Sequence, residues 1–179
     1  MTQINTFDMV NEIIIPNTLI LSDIDETILF YEDINPKWWK EKNEYYMNIY
    51  GDNELSQIQC LDDWFKYIQH NKPLHTDKVG FENMLKKIEE TNSTLMFVTA
   101  RNPKFQKITQ EHFDHLYIDN LKYEVHYLAG CSKGDFIKDN IDISKYDQVI
   151  FIDDLVKNIK SVSDIFENKI KTYQFVLKD

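Results

Sequence analysis

The chain has 179 residues, a length that suits one domain or one domain with a small insert. Its formal net charge is −10. The acidic balance argues against a general nucleic-acid binder or a membrane-surface binder. The N-terminal stretch lacks the basic start and apolar core of a signal peptide, and no run reaches the roughly 18 apolar residues of a membrane span. The two cysteines, Cys60 and Cys131, form neither a metal-ligand spacing nor a disulfide framework. We therefore expect a cytoplasmic protein in a reducing compartment.

Apolar runs of strand length recur along the chain. They lie at 18–22, 94–99, 148–152 and 172–177, with a weaker run at 124–129 that His126 interrupts. Helical spacing of apolar residues marks 81–88 and 155–166. Asn102-Pro103 predicts an N-cap and a helix from Lys104, and Ser132 predicts the N-cap of another helix. Strands that alternate with helices predict an α/β fold, a Rossmann-like parallel sheet with helices on both faces.

The segment 31–75 interrupts this alternation. We find no strand pattern in it, whereas Leu61, Trp64 and Ile68 predict an amphipathic helix, and an aromatic-rich helix follows Pro36. The chain is therefore predicted to consist of a core at 1–30 and 76–179 with a small helical insert at 31–75. The aromatic residues of the insert either form its own small core or stack on a base or sugar.

Two carboxylates follow the first predicted strand in "NTLILSDIDETILF". Side chains two residues apart in an extended chain point the same way, so Asp23 and Asp25 would converge near the end of that strand. Because two adjacent carboxylates repel each other, they favour a cation or a proton between them. Ligands of open α/β sheets bind at this edge, where the strands end.

Further polar side chains stand near the ends of other predicted strands. Thr99 and Arg101 follow one strand, Lys133 stands at a predicted helix start, and Asp153 and Asp154 follow "VIFI". Carboxylates favour Mg²⁺, while hydroxyls, a lysine and helix-start N–H groups suit phosphate oxygens. A metal, phosphate-binding groups and a spare carboxylate together favour phosphoryl transfer.

These motifs resemble those of the haloacid dehalogenase (HAD) superfamily. The stretch "LILSDIDET" is similar to the first motif of the superfamily, "MFVTAR" to the second, Lys133 to the third and "FIDD" to the fourth. The resemblance implies a HAD core whose first strand lies centrally, with the insert 31–75 as a small C1-type cap. It extends to an uncharacterised bacterial subgroup with "TAR", "KG" and "FIDD…KN" elements. The implied function is Mg²⁺-dependent hydrolysis of a small-molecule phosphomonoester through an aspartyl phosphate.

The resemblance also implies catalytic roles. Asp23 would be the nucleophile that takes the phosphoryl group, and it would bind the metal. Asp25 would protonate the leaving oxygen and then deprotonate water, with its backbone carbonyl on Mg²⁺. Lys133 would neutralise charge on the nucleophile and bind the transferring group.

Other motif residues would bind the metal or the phosphate. Asp154 would be the acidic Mg²⁺ ligand, and Asp153 would bind the metal directly or through water. Thr99 would bind a phosphoryl oxygen, Arg101 would contact the substrate phosphate or lie at the surface, and Thr27 would hold the turn.

Simpler readings stay open for several of these residues. Asp153 and Asp154 could be a helix N-terminal acid pair, and Asn158 could bond an acid or face solvent. His112 and His115 have helical spacing without an evident third ligand, so we expect them to be surface or partly buried. Two rival functions are a phosphotransferase of the same fold and a catalytically idle domain that acts as a binding module.

Overall fold

The computed structural model describes residues 2–118 and 122–177, and at its centre lies a six-stranded parallel sheet. The described residues form eight strands, of which β3 and β4 form a separate pair and the other six form this sheet. In chain order they are β1 (Thr2–Ile4), β2 (Thr18–Ser22), β3 (Leu29–Phe30), β4 (Leu74–His75), β5 (Thr94–Thr99), β6 (Tyr123–Tyr127), β7 (Gln148–Asp153) and β8 (Lys171–Phe175). The sheet order is β1-β8-β7-β2-β5-β6, and all of its described pairings are parallel. The predicted Rossmann-like α/β fold is confirmed, and β2 lies centrally between β7 and β5.

Helices connect these strands. They are α1 (Asp8–Asn11), α2 (Pro36–Tyr50), α3 (Asn53–His70), α4 (Lys78–Glu90), α5 (Gln106–His115), α6 (Lys133–Asn140) and α7 (Val156–Phe166). Ser132 caps α6 as predicted, because its side chain accepts a hydrogen bond from Asp135 N. Asn102 caps a 3₁₀ turn at Pro103–Phe105, and α5 follows from Gln106. Within the described ranges, no helix has both the length and the apolar character to cross a membrane.

The two faces of the sheet pack on different hydrophobic clusters. On β2, Leu19 and Leu21 join the cluster that contains Ile159 of α7, whereas Ile20 joins the opposite cluster. Successive strand residues point to opposite faces, so this alternation places helices on both sides of the sheet. Trp64 of α3 belongs to the same cluster as Ile20, and the segment 31–75 therefore packs on the core.

Asp77 and Gly134 fix the positions of helices α4 and α6. Asp77 caps α4 by accepting from Gly80 N at 3.1 Å, and it also accepts from Thr6 Oγ1 at 2.7 Å and Phe7 N at 2.8 Å. At Gly134 of α6, an added Cβ would overlap the backbone carbonyl of Ser161 on α7. Asp77 thus ties the N-terminal segment to α4, and Gly134 permits the close approach of α6 and α7.

Short elements depart from the sequence-based prediction. The expectation of no strand within 31–75 is wrong at its end, because β4 pairs antiparallel with β3. Neither β1 nor the β3–β4 pair was predicted, since a strand of two or three residues is too short to show a period of two. The weak strand predicted at 124–129 is β6, which begins and ends earlier, and the one predicted at 172–177 is β8, which ends at Phe175.

Candidate active site

Three adjacent strands deliver polar side chains to one edge of the sheet. Asp23 directly follows β2, Thr99 ends β5 and Asp153 ends β7. Asp23 N donates to Ile152 O at 2.9 Å, which extends the β2–β7 pairing by one residue and holds Asp23 beside Asp153. This is the carboxyl edge, where open parallel sheets bind ligands.

Lys133 bridges two of these carboxylates. Its Nζ lies 2.7 Å from Asp23 Oδ1 and 2.6 Å from Asp153 Oδ2, and the side chain is 1% exposed. Burial alone would lower the pKa of Lys133, but the charges of Asp23 and Asp153 outweigh it and raise that pKa. Lys133 is therefore a buried cation that stays protonated between its two partners.

Three carboxylates converge around this lysine. Asp23, Asp153 and Asp154 each offer an oxygen, and these oxygens all lie within 4.8 Å of one another. Burial raises the pKa of Asp23, an effect that Lys133 opposes. Burial and then the charge of Asp23 raise the pKa of Asp154. Because one lysine serves three acids, the cluster has an excess of negative charge and oxygen donors that fits a divalent metal ion.

The acids of this cluster differ in their hydrogen bonds. Asp153 accepts from Lys133, from Leu155 N at 2.9 Å and from Asn158 Nδ2 at 2.9 and 3.1 Å. By contrast, the structure shows no donor to the Asp154 carboxylate among residues 2–118 and 122–177. Asp153 is thus fully engaged by the protein, whereas Asp154 has its lone pairs free for a ligand.

Asp25 lies outside the three-acid cluster and pairs with Arg101. Arg101 Nε donates to Asp25 Oδ2 at 2.9 Å, and Nη2 donates to Oδ1 at 2.7 Å. Arg101 is 1% exposed, so the surface reading of this residue is wrong. Burial would lower the pKa of Arg101, but the charge and hydrogen bonds of Asp25 raise it. The guanidinium and the Asp25 carboxylate form a bidentate ion pair, which fixes the carboxylate plane.

The two threonines of the motifs have different surroundings. Thr99 Oγ1 accepts from Arg101 N at 3.2 Å, which leaves the hydroxyl proton able to donate. Thr27 Oγ1 is buried without a hydrogen-bond partner within the described part of the chain. Its backbone carbonyl accepts from Thr76 Oγ1 at 2.5 Å, so the turn after β2 is anchored next to β4.

Two residues near Asp25 were not predicted as part of the site. Glu26 lies in the left-handed region at φ 58, and burial together with the charge of Asp25 raises its pKa to about 7. His112, expected to be at the surface or partly buried, is instead buried, with 4% exposure, and lies 3.3 Å from Arg101 Nη1. The spacing of Phe105, Thr109 and His112 in the sequence, four and three residues apart, follows the buried face of a helix and could have indicated its position.

The family of the chain follows from comparison with known proteins. A family profile described as "Protein of unknown function (DUF2608)" matches residues 3–127 and 122–177. The chain belongs to this family. No curated protein matches it.

Solved structures show which folds this family member is similar to. The structure titled "Structure of Pnkp1/Rnl/Hen1 complex" has a TM-score of 0.52 and 12% identity, and covers 92% of this chain and 47% of that chain. The chain thus spans about half the length of that neighbour. A putative beta-phosphoglucomutase from Thermotoga maritima has a TM-score of 0.51 and 12% identity, over 90% of this chain and 88% of that chain. The class C acid phosphatase from Bacillus anthracis, with tungstate bound, has a TM-score of 0.49 and 13% identity, over 95% and 71% of the two chains. At these identities the first two show a shared fold.

Proposed function

We propose that this protein is a Mg²⁺-dependent phosphomonoester hydrolase that acts through an aspartyl phosphate on Asp23. The observation that carries the proposal is the arrangement of Lys133 between Asp23 and Asp153, with the unbonded carboxylate of Asp154 beside them. A nucleophilic carboxylate, a buried cation and a free metal ligand are the groups that phosphoryl transfer requires. The likeness of fold to a putative beta-phosphoglucomutase and the HAD-like motif order support it as analogy.

The donor set fits Mg²⁺ in both number and kind. Asp23 and Asp154 would hold the ion through their carboxylates, and Asp25 through its backbone carbonyl. Asp153 would act through Lys133 or through water, because its oxygens already accept several hydrogen bonds. When bound, Mg²⁺ supplies charge neutralisation at the transferring phosphoryl oxygens.

The residues of this chain then have distinct roles in two displacements. In the first, an Asp23 oxygen attacks phosphorus, the bond to the leaving oxygen breaks, and Asp25 gives that oxygen its proton. In the second, Asp25 takes a proton from water, the water oxygen attacks phosphorus, and Asp23 is released with inorganic phosphate. The third N–H of Lys133 and the hydroxyl of Thr99 would hold phosphoryl oxygens throughout.

The proposal is tested by release of phosphate from a generic aryl phosphate. We expect turnover with Mg²⁺, none with EDTA, and a loss of at least about 10³-fold in Asp23→Asn, because the nucleophile is removed. Asp164→Asn, which changes an exposed aspartate of α7, is the matched control and should keep full activity.

Different outcomes distinguish the rival functions. If added alcohols compete with water and become phosphorylated, the protein is a phosphotransferase. If the wild type neither turns over a panel of small phosphomonoesters nor binds Mg²⁺, the hydrolase proposal is wrong and the idle binding module stands. Mg²⁺ binding that disappears in Asp154→Asn would support the assigned ligand.

A further inference from the structure

His112 has partners on both sides of its ring. Nε2 lies 3.0 Å from the backbone carbonyl of Ile68, in α3. Because a carbonyl oxygen can only accept, Nε2 carries the proton and donates it. Nδ1 is then the acceptor in the neutral ring, and it faces Arg101 Nη1 at 3.3 Å and Tyr31 Oη at 3.1 Å. The hydrogen-bond partners of His112 therefore favour the tautomer that carries its proton on Nε2.

The charge state of His112 agrees with this assignment. Burial and then the charge of Arg101 lower the pKa of His112 to about 4, so the ring is neutral at physiological pH. A neutral ring can accept from the Arg101 guanidinium, whereas a protonated ring would repel it. The helix α5 supplies a second acceptor to the same Nη1, the hydroxyl of Thr109 at 3.0 Å.

Arg101 connects this ring to Asp25. The bidentate pair uses one lone pair on each oxygen of Asp25 and leaves a second lone pair on each. The second lone pair on each oxygen of Asp25 therefore stays open towards a substrate atom while Arg101 fixes the orientation of the carboxylate. A general acid must be held within hydrogen-bond reach of the leaving oxygen to be effective.

We propose that His112 is a positioning residue, which holds Arg101 and through it Asp25, and which links their arrangement to helix α3 of the predicted cap. The inference rests on the proposed function, since Asp25 is the group whose position matters for hydrolysis. It gives the insert a part in catalysis, because Ile68 and Tyr31 belong to 31–75 and contact the ring that orients the acid. Trp64 of α3 also covers Arg101, with the guanidinium carbon 6.0 Å from the ring centroid.

Two substitutions separate the two sides of the ring. His112→Asn keeps an acceptor near the Nδ1 position and loses the donor to Ile68. His112→Gln keeps a donor near the Nε2 position and loses the acceptor for Arg101. His115→Gln, a change of the other histidine of α5, is the matched control.

The readout is the dependence of kcat/KM on the leaving group. A nitrophenolate departs without a proton, whereas an alkoxide needs one from Asp25. We expect His112→Gln to lower kcat/KM on the order of 10²-fold for an alkyl phosphate and less than about threefold for a nitrophenyl phosphate. His115→Gln should keep the wild-type ratio between the two substrates, whereas His112→Asn, which loses the bond to Ile68, should change that ratio in the same direction as His112→Gln but by a smaller factor. Equal losses on both substrates in His112→Gln would show a merely structural role and overturn the inference, while the hydrolase proposal would stand.

A second measurement does not depend on turnover. Arg101 is the only arginine in the chain, so its Nε–H gives a single, unambiguous arginine signal in a ¹⁵N–¹H NMR spectrum. We expect slow exchange of this proton with solvent in the wild type and exchange at least about tenfold faster in His112→Gln. If the wild type hydrolyses no phosphomonoester, the proposed function fails. The exchange rate of the Arg101 Nε–H proton then still tests whether His112 holds Arg101. Exchange that is fast in the wild type, or equally slow in His112→Gln, would overturn the link between His112 and Arg101.

Discussion

Lys133 joins two buried carboxylates, and Lys133→Met removes its charge while nearly keeping its volume. Within residues 2–118 and 122–177, Lys133 is the only donor to the Asp23 carboxylate, and the variant removes it. Asp153 is affected less, because it keeps its bonds from Leu155 N and Asn158. We therefore expect the loss of stability to come mainly from Asp23.

The loss of stability caused by Lys133→Met is expected to be larger at higher pH. Removing one partner of a buried ion pair costs about 3–5 kcal/mol. Asp23 can escape this cost by taking up a proton, which at pH 7 requires at most about 4 kcal/mol and at pH 5 at most about 1.5 kcal/mol, given a reference pKa of about 3.9. A raised pKa in the folded state means that the folded protein keeps a proton the unfolded chain releases, so stability falls as pH rises above that reference. Because Lys133 opposes this raise, its removal costs more at pH 7 than at pH 5.

The assay is urea unfolding in EDTA at both pH values. We expect Lys133→Met to lower the free energy of unfolding by more at pH 7 than at pH 5. The ceilings are about 4 kcal/mol and about 1.5 kcal/mol, and the losses stay below them because the pKa of Asp23 is already raised in the wild type. Lys138→Met, on the exposed part of α6, should cost less than about 1 kcal/mol at either pH. A cost of Lys133→Met that is the same at pH 5 and pH 7, or that equals the Lys138→Met control, would refute the reasoning.

Three further predictions concern the metal site and the fold. Mg²⁺ at about 100 times its Kd should stabilise the wild type by about 2.7 kcal/mol, and thermal melts of Asp154→Asn should lose most of this shift; an equal shift in both would contradict the ligand assignment. Gly134→Ala should cost about 1–3 kcal/mol in urea unfolding, because its Cβ overlaps the Ser161 carbonyl and must separate two helices; an unchanged midpoint would contradict the close approach. Asp77→Ala removes three hydrogen bonds and should cost about 2–3 kcal/mol, against about 1 kcal/mol for Asp52→Ala, which removes the cap of α3 alone; equal costs would show that Asp77 does no more than cap a helix.

The sequence predicts the central strands well because each is a continuous apolar run. β2, β5 and β7 are buried in the parallel sheet, so their residues are apolar on both faces. The edge strand β1 escapes prediction, because only Ile4 of its three residues is buried. The helix caps at Asn102 and Ser132 are local features, and local features are readable from a few adjacent residues.

Site residues at the ends of strands are readable from the sequence, whereas residues that depend on contacts with distant segments are not. Asp23, Asp153 and Asp154 each follow or end a strand, and parallel strands bring such positions to one edge. The partner of Asp25 could not be foreseen, because the pairing with Arg101 depends on how the turn after β2 faces the segment that directly follows β5. The burial of His112 depends in turn on α3, which packs over it from a distant part of the sequence.

The single arginine has a practical consequence for measuring stability. Arg101 is almost fully buried at the end of β5, so an arginine-specific protease finds its one cleavage site closed in the folded protein. Opening of the molecule exposes the bond between Arg101 and Asn102, and cleavage there produces only two fragments, 1–101 and 102–179. When opening and reclosing are fast relative to cleavage, the rate of fragment formation follows the population of open molecules. The chain therefore contains its own single-site probe of unfolding, which requires no label and no inserted sequence.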